Sequence, residues 1–342
     1  MEIEKAAARF GNENFTWKPL GAGLINDTYY VSYAGGTNLV LQKINTHSFP
    51  QPLQLIRNYE RMAAWLEAHP PAIPIPHLVQ TVDGSSCWID EKGDCWRATA
   101  WIPGTYSPPF LENTEMAVDA ARAYAGFIAS LGGAAIADWE PAIPGFHDLS
   151  QRYHQFEAAM HGAELFRRMK ATHIISSLRE RSDYLRFYEE MMARPTDYPE
   201  RLQHHDCKLS NLLFDKKTHR VVAITDLDTV MPGSFFSDLG DMVRSMTCTE
   251  PEDSVEWDKI AVDEDRYHAI VNTFRETLKG QLTAAEQEHL HLAGRLITYM
   301  QALRYTTDFL QNDIYYKITS PEQNLHRAFN QLLLLERLEE IG

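Results

Sequence analysis

The apolar pattern of this 342-residue chain changes character once, and the change falls at Pro103-Gly104. Before that point the period is two. Thr28-Tyr29-Tyr30-Val31-Ser32-Tyr33 is β-branched and aromatic, Gly35-Gly36 follows as a turn, and Asn38 to Ile44 continues in kind. Two such runs around a glycine pair predict a β-hairpin. Further strands are expected at 86–89 and 95–102, separated by Glu91-Lys92-Gly93-Asp94. One helix interrupts them: Leu55, Ile56, Tyr59, Met62, Ala63 and Leu66 share a face of segment 53–68, and Pro70, Pro71, Pro74 and Pro76 end it. After Pro103-Gly104 the helical period dominates. Helices are expected at 115–131, as a pair within 151–193, and from the capping box Thr283-Ala284-Ala285-Glu286 through Leu310. A last helix opens with Ser320 as N-cap and Pro321 at the first helical position. Only 203–241 departs from this, with apolar runs Asn211–Phe214 and Val221–Ile224 around an Asp215-Lys216-Lys217 turn. At roughly 150 residues per domain, the length suits two units. The expectation is a bilobal α+β chain: a β-rich lobe over 1–103 and a larger α-helical lobe over 104–342.

Composition narrows the function classes. A net charge of −15 with a 44% apolar fraction describes a globular protein without a broad basic surface. Nucleic acid and anionic membranes both demand such a surface, so neither is an expected partner. A small phosphate site remains open, since it needs only a few donors and a metal. The four cysteines, Cys87, Cys95, Cys207 and Cys248, form no CxxC pair. The start, Met-Glu-Ile-Glu-Lys, has neither the basic residues nor the apolar run of a signal peptide. No stretch is apolar over the length of a membrane span. A soluble, reduced, cytoplasmic protein is expected.

The chemistry-bearing segment is His204-His205-Asp206-Cys207-Lys208-Leu209-Ser210-Asn211, followed by Ile224-Thr225-Asp226-Leu227-Asp228. Asp206 precedes a lysine by two residues and an asparagine by five. Asp226 and Asp228, two apart at a strand end, fall on one face by the period of a strand. Asn and Asp oxygens suit Mg²⁺, a hard cation commonly held by one or two carboxylates and substrate phosphates. A free aspartate beside such a metal can accept a hydroxyl proton, and Lys208 can neutralise a phosphoryl group in transfer. Each piece alone reads as turn chemistry or a solvated strand end. Together they form the parts list of phosphoryl transfer.

At these residues the chain resembles the aminoglycoside phosphotransferase and choline kinase-like superfamily, the small-molecule branch of the protein-kinase-like fold. That branch carries H-G-D-x-x-x-x-N, then I-D-[WF]-[ED], then a D-[LI] motif. Here His205 stands in place of the glycine, Thr225 precedes Asp226, and Asp238-Leu239-Gly240-Asp241 supplies the last motif. Gly23 to Tyr29, Asp226 to Gly233 and Arg304 to Tyr316 look closer to the N-acetylhexosamine 1-kinases. The resemblance implies Asp206 as the catalytic base with Lys208 beside the γ-phosphate. It implies Asn211 and Asp226 as Mg²⁺ ligands with Asp228 assisting, and Asp238 as a brace for the catalytic loop. For ATP it implies a phosphate loop at Gly21-Ala22-Gly23 and a basic residue on the strand that follows. Gln42 and Lys43 point to opposite faces there; Lys43 paired with Glu60 is the candidate. The stretch Arg97 to Ile102 resembles the adenine-binding hinge, with Thr99, Trp101 and Ile102 as contacts. Arg304 and Tyr315 are placed on the sugar, where leucine at position 24 departs from a histidine frequent in that group.

The leading expectation is an ATP- and Mg²⁺-dependent kinase for a sugar hydroxyl, the anomeric hydroxyl of an N-acetylhexosamine in particular. The alternatives are a kinase for choline, ethanolamine or an aminoglycoside, whose positive charge would call for an aromatic or acidic cage, and an inactive nucleotide-binding module.

Overall fold

The computed structural model describes residues 2–11, 14–20 and 25–341. The elements, in order, begin with α1 (Glu2–Phe10), β1 (Phe15–Pro19), β2 (Asp27–Tyr33), β3 (Asn38–Lys43) and α2 (Pro52–Ala68). Then come β4 (Leu78–Val79), β5 (Trp88–Ile89), β6 (Cys95–Ala100) and β7 (Thr105–Tyr106). The second half holds α3 (Thr114–Ser130), α4 (Leu149–Gly162), α5 (Leu165–Lys170), α6 (Thr172–Glu180) and α7 (Asp183–Met192). It continues with β8 (Arg201–Gln203), β9 (Leu212–Asp215), β10 (Val221–Ile224), β11 (Met231–Gly233) and α8 (Phe236–Thr247). It ends with α9 (Glu264–Thr277), α10 (Ala284–His289), α11 (Leu292–Leu310) and α12 (Gln323–Glu340). This is a bilobal α+β fold with a β-rich first lobe and an α-helical second lobe.

The small lobe is an antiparallel sheet in the order β1-β2-β3-β6-β4, with β5 on β6. Its outer face buries Val31, Tyr33, Leu39, Leu41, Trp96 and Ala98 under Ile3, Ala6, Ala7 and Phe10 of α1. The β3–β6 register sets Gln42 opposite Arg97 and Lys43 opposite Trp96. Directly opposed residues share a face and successive ones alternate. Arg97 and Gln42 therefore lie together on one face, and Lys43 with Trp96 on the other. The lysine ammonium sits 5.8 Å from the Trp96 ring centroid.

The expected helix at 53–68 forms, burying Leu55, Ile56, Tyr59, Met62 and Leu66. Its lower half joins the core of the large lobe, where Tyr59, Met62 and Leu66 pack into the same cluster as α3, α8 and α11. Three helix expectations are corrected. The capping box at Thr283 forms with both of its bonds, yet the helix it opens stops at His289, and α11 starts afresh at Leu292. The final helix begins at Gln323 with Glu322 as its cap. Gln323 Oε1 accepts from the Thr319 backbone N–H at 2.6 Å, which holds the Ser320-Pro321 pair in a preceding turn. Segment 151–193 holds four short helices where two are expected.

The small sheets of the large lobe carry the site. The hairpin β9–β10 takes β7 on its open edge, and β8 pairs with β11. The loop between β8 and β9 holds residues 204–211, and the turn after β10 holds 226–229. No helix among the described residues is long and apolar enough to cross a membrane.

Candidate active site

The loop after β8 is built around Asp238 in the first turn of α8. Its two carboxylate oxygens accept the backbone N–H groups of His204 and His205, each at 2.7 Å. The side chain is fully buried, and removing it would strand two buried donors. His204 holds the loop from its other side. Its Nε2 lies 3.1 Å from the Thr225 carbonyl, while its Nδ1 accepts the Asp206 N–H at 3.3 Å. Those partners put the imidazole proton on Nε2.

His205 has φ of +66°, the left-handed region where glycine costs least. That geometry explains why a glycine suits this position. The histidine is held there by its Nδ1–H, 3.1 Å from the carbonyls of both Gln203 and Thr229. Burial pushes the ring down to about 4, so it stays neutral.

Asp206 then projects from the loop. Its Oδ2 accepts from Lys208 Nζ at 2.6 Å and from Asn211 Nδ2 at 2.9 Å. Its Oδ1 accepts no hydrogen bond from any described residue. Burial pushes the carboxyl up, but Lys208, then His204 and Asn211, outweigh it, and the net direction is down. Burial lowers Lys208 too, and the neighbouring Asp206 and Asp226 carboxylates raise it to about 12. Asp206 is therefore an ionised carboxylate with one free oxygen beside a fixed ammonium.

Asp226 lies across from this loop. It follows β10 with φ of +59° and ψ of +58°, and a 3-10 turn, Leu227–Thr229, starts directly after it. The strand period expected to align Asp226 with Asp228 is thus broken, and the two carboxylates separate. Asp226 opens to the cleft and accepts no hydrogen bond from the described residues. Desolvation by the protein around it, then the Asp206 and Asp228 carboxylates, push it up to about 7. Asp228 turns inward, 4% exposed, and meets Arg97 through both oxygens. The Arg97 guanidinium thus engages both of the oxygens expected to assist a metal.

Asn211 spends its amide N–H groups on Asp206, which leaves its Oδ1 for a cation. That oxygen and the open Asp226 carboxylate are hard donors beside an ionised aspartate, a donor set that fits Mg²⁺.

Of the residues expected to bind nucleotide, Gly21 and Gly23 lie outside the described residues. The Lys43–Glu60 pair does not form. Lys43 is ion-paired with Asp94 and Glu2 on the outer face, and Glu60 accepts from the Ser86 hydroxyl. The register noted above is the reason, since it is Gln42 that faces inward. Thr99 is centred in β6, opposite Val40 and Leu78. Trp101 donates its backbone N–H to Asn38 at 3.1 Å, and its ring meets Tyr30 edge-on at 4.9 Å. The Ile102 carbonyl accepts from Thr105 Oγ1 at 2.8 Å, which closes the connector between the lobes.

Of the residues expected to hold the acceptor, the Arg304 guanidinium lies over three rings: Phe146 at 5.0 Å, Tyr316 at 5.7 Å and Tyr315 at 6.0 Å. Arg304 and Asp308, four residues apart on α11, do not form an ion pair. Arg304 donates to Gln301 Oε1 at 3.0 Å, while Asp308 accepts the backbone N–H groups of Tyr315 and Tyr316 at 2.8 and 2.9 Å. Asp308 thereby pins the turn that presents both tyrosines. Rings connect this cluster to the catalytic loop, with His147 4.7 Å from Phe146 and 5.2 Å from His205. Phe146, His147, Arg97 and Asn26 were not singled out from the sequence. Each acts through a partner distant along the chain, and no local spacing marks it.

A family described as the phosphotransferase enzyme family matches residues 16–270. The chain belongs to that family. Its fold is similar to that of an aminoglycoside phosphotransferase from Alicyclobacillus acidocaldarius, with a TM-score of 0.67 at 14% identity over 99% of this chain and 95% of that one. It is also similar to a microcompartment-associated aminopropanol kinase, with a TM-score of 0.69 at 18% identity over 99% and 97%. A choline kinase from Cryptosporidium parvum shares the fold at a TM-score of 0.56 and 13% identity over 99% and 95%.

Proposed function

We propose that this phosphotransferase moves the γ-phosphate of ATP to a hydroxyl of a neutral sugar, the anomeric hydroxyl of an N-acetylhexosamine. The observation that carries the acceptor class is the occupied cage. A cationic acceptor such as choline needs aromatic faces for its charge. Here Phe146, Tyr315 and Tyr316 already surround the protein's own Arg304. What the cluster offers a ligand is guanidinium N–H groups and ring faces, which suit hydroxyl and carbonyl oxygens and the C–H face of a sugar.

Asp206 orients the acceptor hydroxyl through its free Oδ1. As the acceptor oxygen bonds to phosphorus, its proton passes to that carboxylate, and the bond from phosphorus to the leaving oxygen breaks, its electron pair departing with ADP. A lowered carboxyl is a weak base, in keeping with a loose transition state in which positioning outweighs proton abstraction. Asn211 and Asp226 would hold Mg²⁺, which neutralises phosphate charge. Lys208 adds a fixed positive charge beside Asp206. Thr99, Trp101 and Ile102, at the connector, are proposed to border adenine, and Gly21 and Gly23 to approach the phosphates.

Replacing Arg304 by alanine tests the acceptor. A hydrogen bond from a charged donor is worth about 1.5–3 kcal/mol. Arg304→Ala should therefore lower kcat/KM for N-acetylhexosamine by about 10–100-fold, with ATP affinity held. Unchanged sugar turnover together with efficient phosphorylation of choline or an aminoglycoside would replace this acceptor by a cationic one.

A further inference from the structure

Asp228 is the residue of the site that the phosphotransfer scheme leaves without a task, and it has the densest set of partners. Its Oδ2 accepts from Arg97 at 2.8 Å and from Asn26 Nδ2 at 2.9 Å, and its Oδ1 also meets Arg97. Both donors belong to the small lobe, and the Arg97 and Asp228 side chains are each 2% exposed. The network runs on. Arg97 donates through Nε and a terminal nitrogen to Gln42 Oε1, at 3.1 and 2.9 Å, and Gln42 donates to Thr28. Asn26 Oδ1 accepts the Asn45 N–H at 3.0 Å, and Asn45 Nδ2 reaches the Ile25 carbonyl at 3.1 Å.

The other end of the same short turn is fastened to the catalytic loop. Thr229 Oγ1 donates to the His204 carbonyl at 2.7 Å, and the Thr229 carbonyl accepts from His205. The turn 226–229 is thus held between the small lobe and the catalytic loop, and Asp226 is the residue at its left-handed start. An aspartate in that conformation keeps it only when its surroundings fix it.

We infer that Asp228 is a positioning residue: clamped by Arg97 and Asn26 of the small lobe, it sets the pose of Asp226. Gln42 and Arg97 occupy the inward face that Lys43 leaves. The charge-bearing contact between sheet and cleft therefore runs to an aspartate of the large lobe rather than to a glutamate on α2. The inference rests on the assignment of Asp226 to Mg²⁺ given above.

The test is ADP binding to the full chain by calorimetry across a Mg²⁺ series, with melting temperature measured alongside. The proteins are wild type, Asp226→Asn, Asp228→Asn, Arg97→Gln, the Arg97→Gln/Asp228→Asn double variant and Asn26→Ala. Asp226→Asn should lose the Mg²⁺-dependent gain in ADP affinity outright. Asp228→Asn and Arg97→Gln should each keep the gain but need about 10–100-fold more Mg²⁺ to reach it. The double variant should recover part of that shift, because it strands no buried charge and its two amides can still bond. Asn26→Ala leaves both charges in place and should shift the midpoint by about 2–10-fold, which preserves the test should a charge variant fail to fold. If Asp228→Asn abolishes the gain while Arg97→Gln retains the wild-type midpoint, Asp228 is a metal ligand and the inference is overturned. Melting temperatures that fall while every midpoint stays at the wild-type value would make the junction packing alone, and overturn it as well. A wild-type chain whose ADP affinity ignores Mg²⁺ would sink the metal assignment itself.

Discussion

Two left-handed residues, His205 and Asp226, bracket the chemistry. Each costs backbone energy, and the loop or turn that carries each is held by partners outside it. For His205 the cost has a pH signature. The unfolded histidine titrates near about 6.5, whereas burial holds the folded ring at about 4. Below pH 6.5 the unfolded chain gains a proton that the folded chain refuses. Stability is therefore complete above about 6.5 and lost as pH falls toward about 4, by on the order of 3 kcal/mol. His205→Gly should flatten this slope, which urea titrations at about pH 7 and about pH 5 would measure. A variant that loses as much stability as the wild type over that interval would show the slope to arise elsewhere. Asp206 gives the second prediction at this scale. Asp206→Asn should lower kcat by about 10²–10⁴-fold while nucleotide still binds, because the side chain is proposed to orient the acceptor and not ATP. Near-wild-type turnover would remove Asp206 from the reaction.

Helices α8 and α11 cross where both carry a glycine. A Cβ on Gly240 would come 2.4 Å from the Ala293 carbonyl oxygen, and one on Gly294 would come 2.4 Å from Val243 Cγ1. That approach sets α8, and with it Asp238 under the catalytic loop. Gly240→Ala should destabilise the chain by about 1–3 kcal/mol, read as a lower urea midpoint. Catalytic activity should fall with it as the Asp238 brace shifts. An unchanged midpoint would mean that the helices part without cost. Most of these elements were legible in the sequence, since they carry their own period: the β2–β3 hairpin, α2, α3 and the β9–β10 hairpin. The misreadings have physical reasons. The Thr283 capping box announces a helix start and carries no information about its end six residues on. The Asp226/Asp228 pair was assigned strand periodicity, but the chain enters a left-handed turn at Asp226. Lys43 was preferred for its charge, yet cross-strand register turns Gln42 inward and Lys43 out to Asp94 and Glu2. Arg97 offered no local signal at all, because its partner lies 131 residues away.

Across the whole molecule, the lobes meet through the connector at Trp101–Ile102 and through the buried Arg97–Asp228 contact, and the groups proposed as catalytic are proposed to face a cleft between them. Nucleotide bound in that cleft should slow hydrogen exchange in 97–102 and 204–211 together when ATP and Mg²⁺ are added. Protection confined to 204–211 would place the nucleotide away from the small lobe. The proposed reaction is phosphoryl transfer to a sugar hydroxyl by the Asp206 loop. Its most direct measurement is phosphorus NMR of wild-type chain with ATP, Mg²⁺ and a panel of free sugars, choline, ethanolamine and an aminoglycoside, with Asp206→Asn in parallel. The account predicts a new phosphoester resonance with N-acetylhexosamine, formed in step with ADP, split by the anomeric proton and missing with Asp206→Asn. Formation of ADP with inorganic phosphate alone across the panel, or an ester formed equally well by Asp206→Asn, would contradict it.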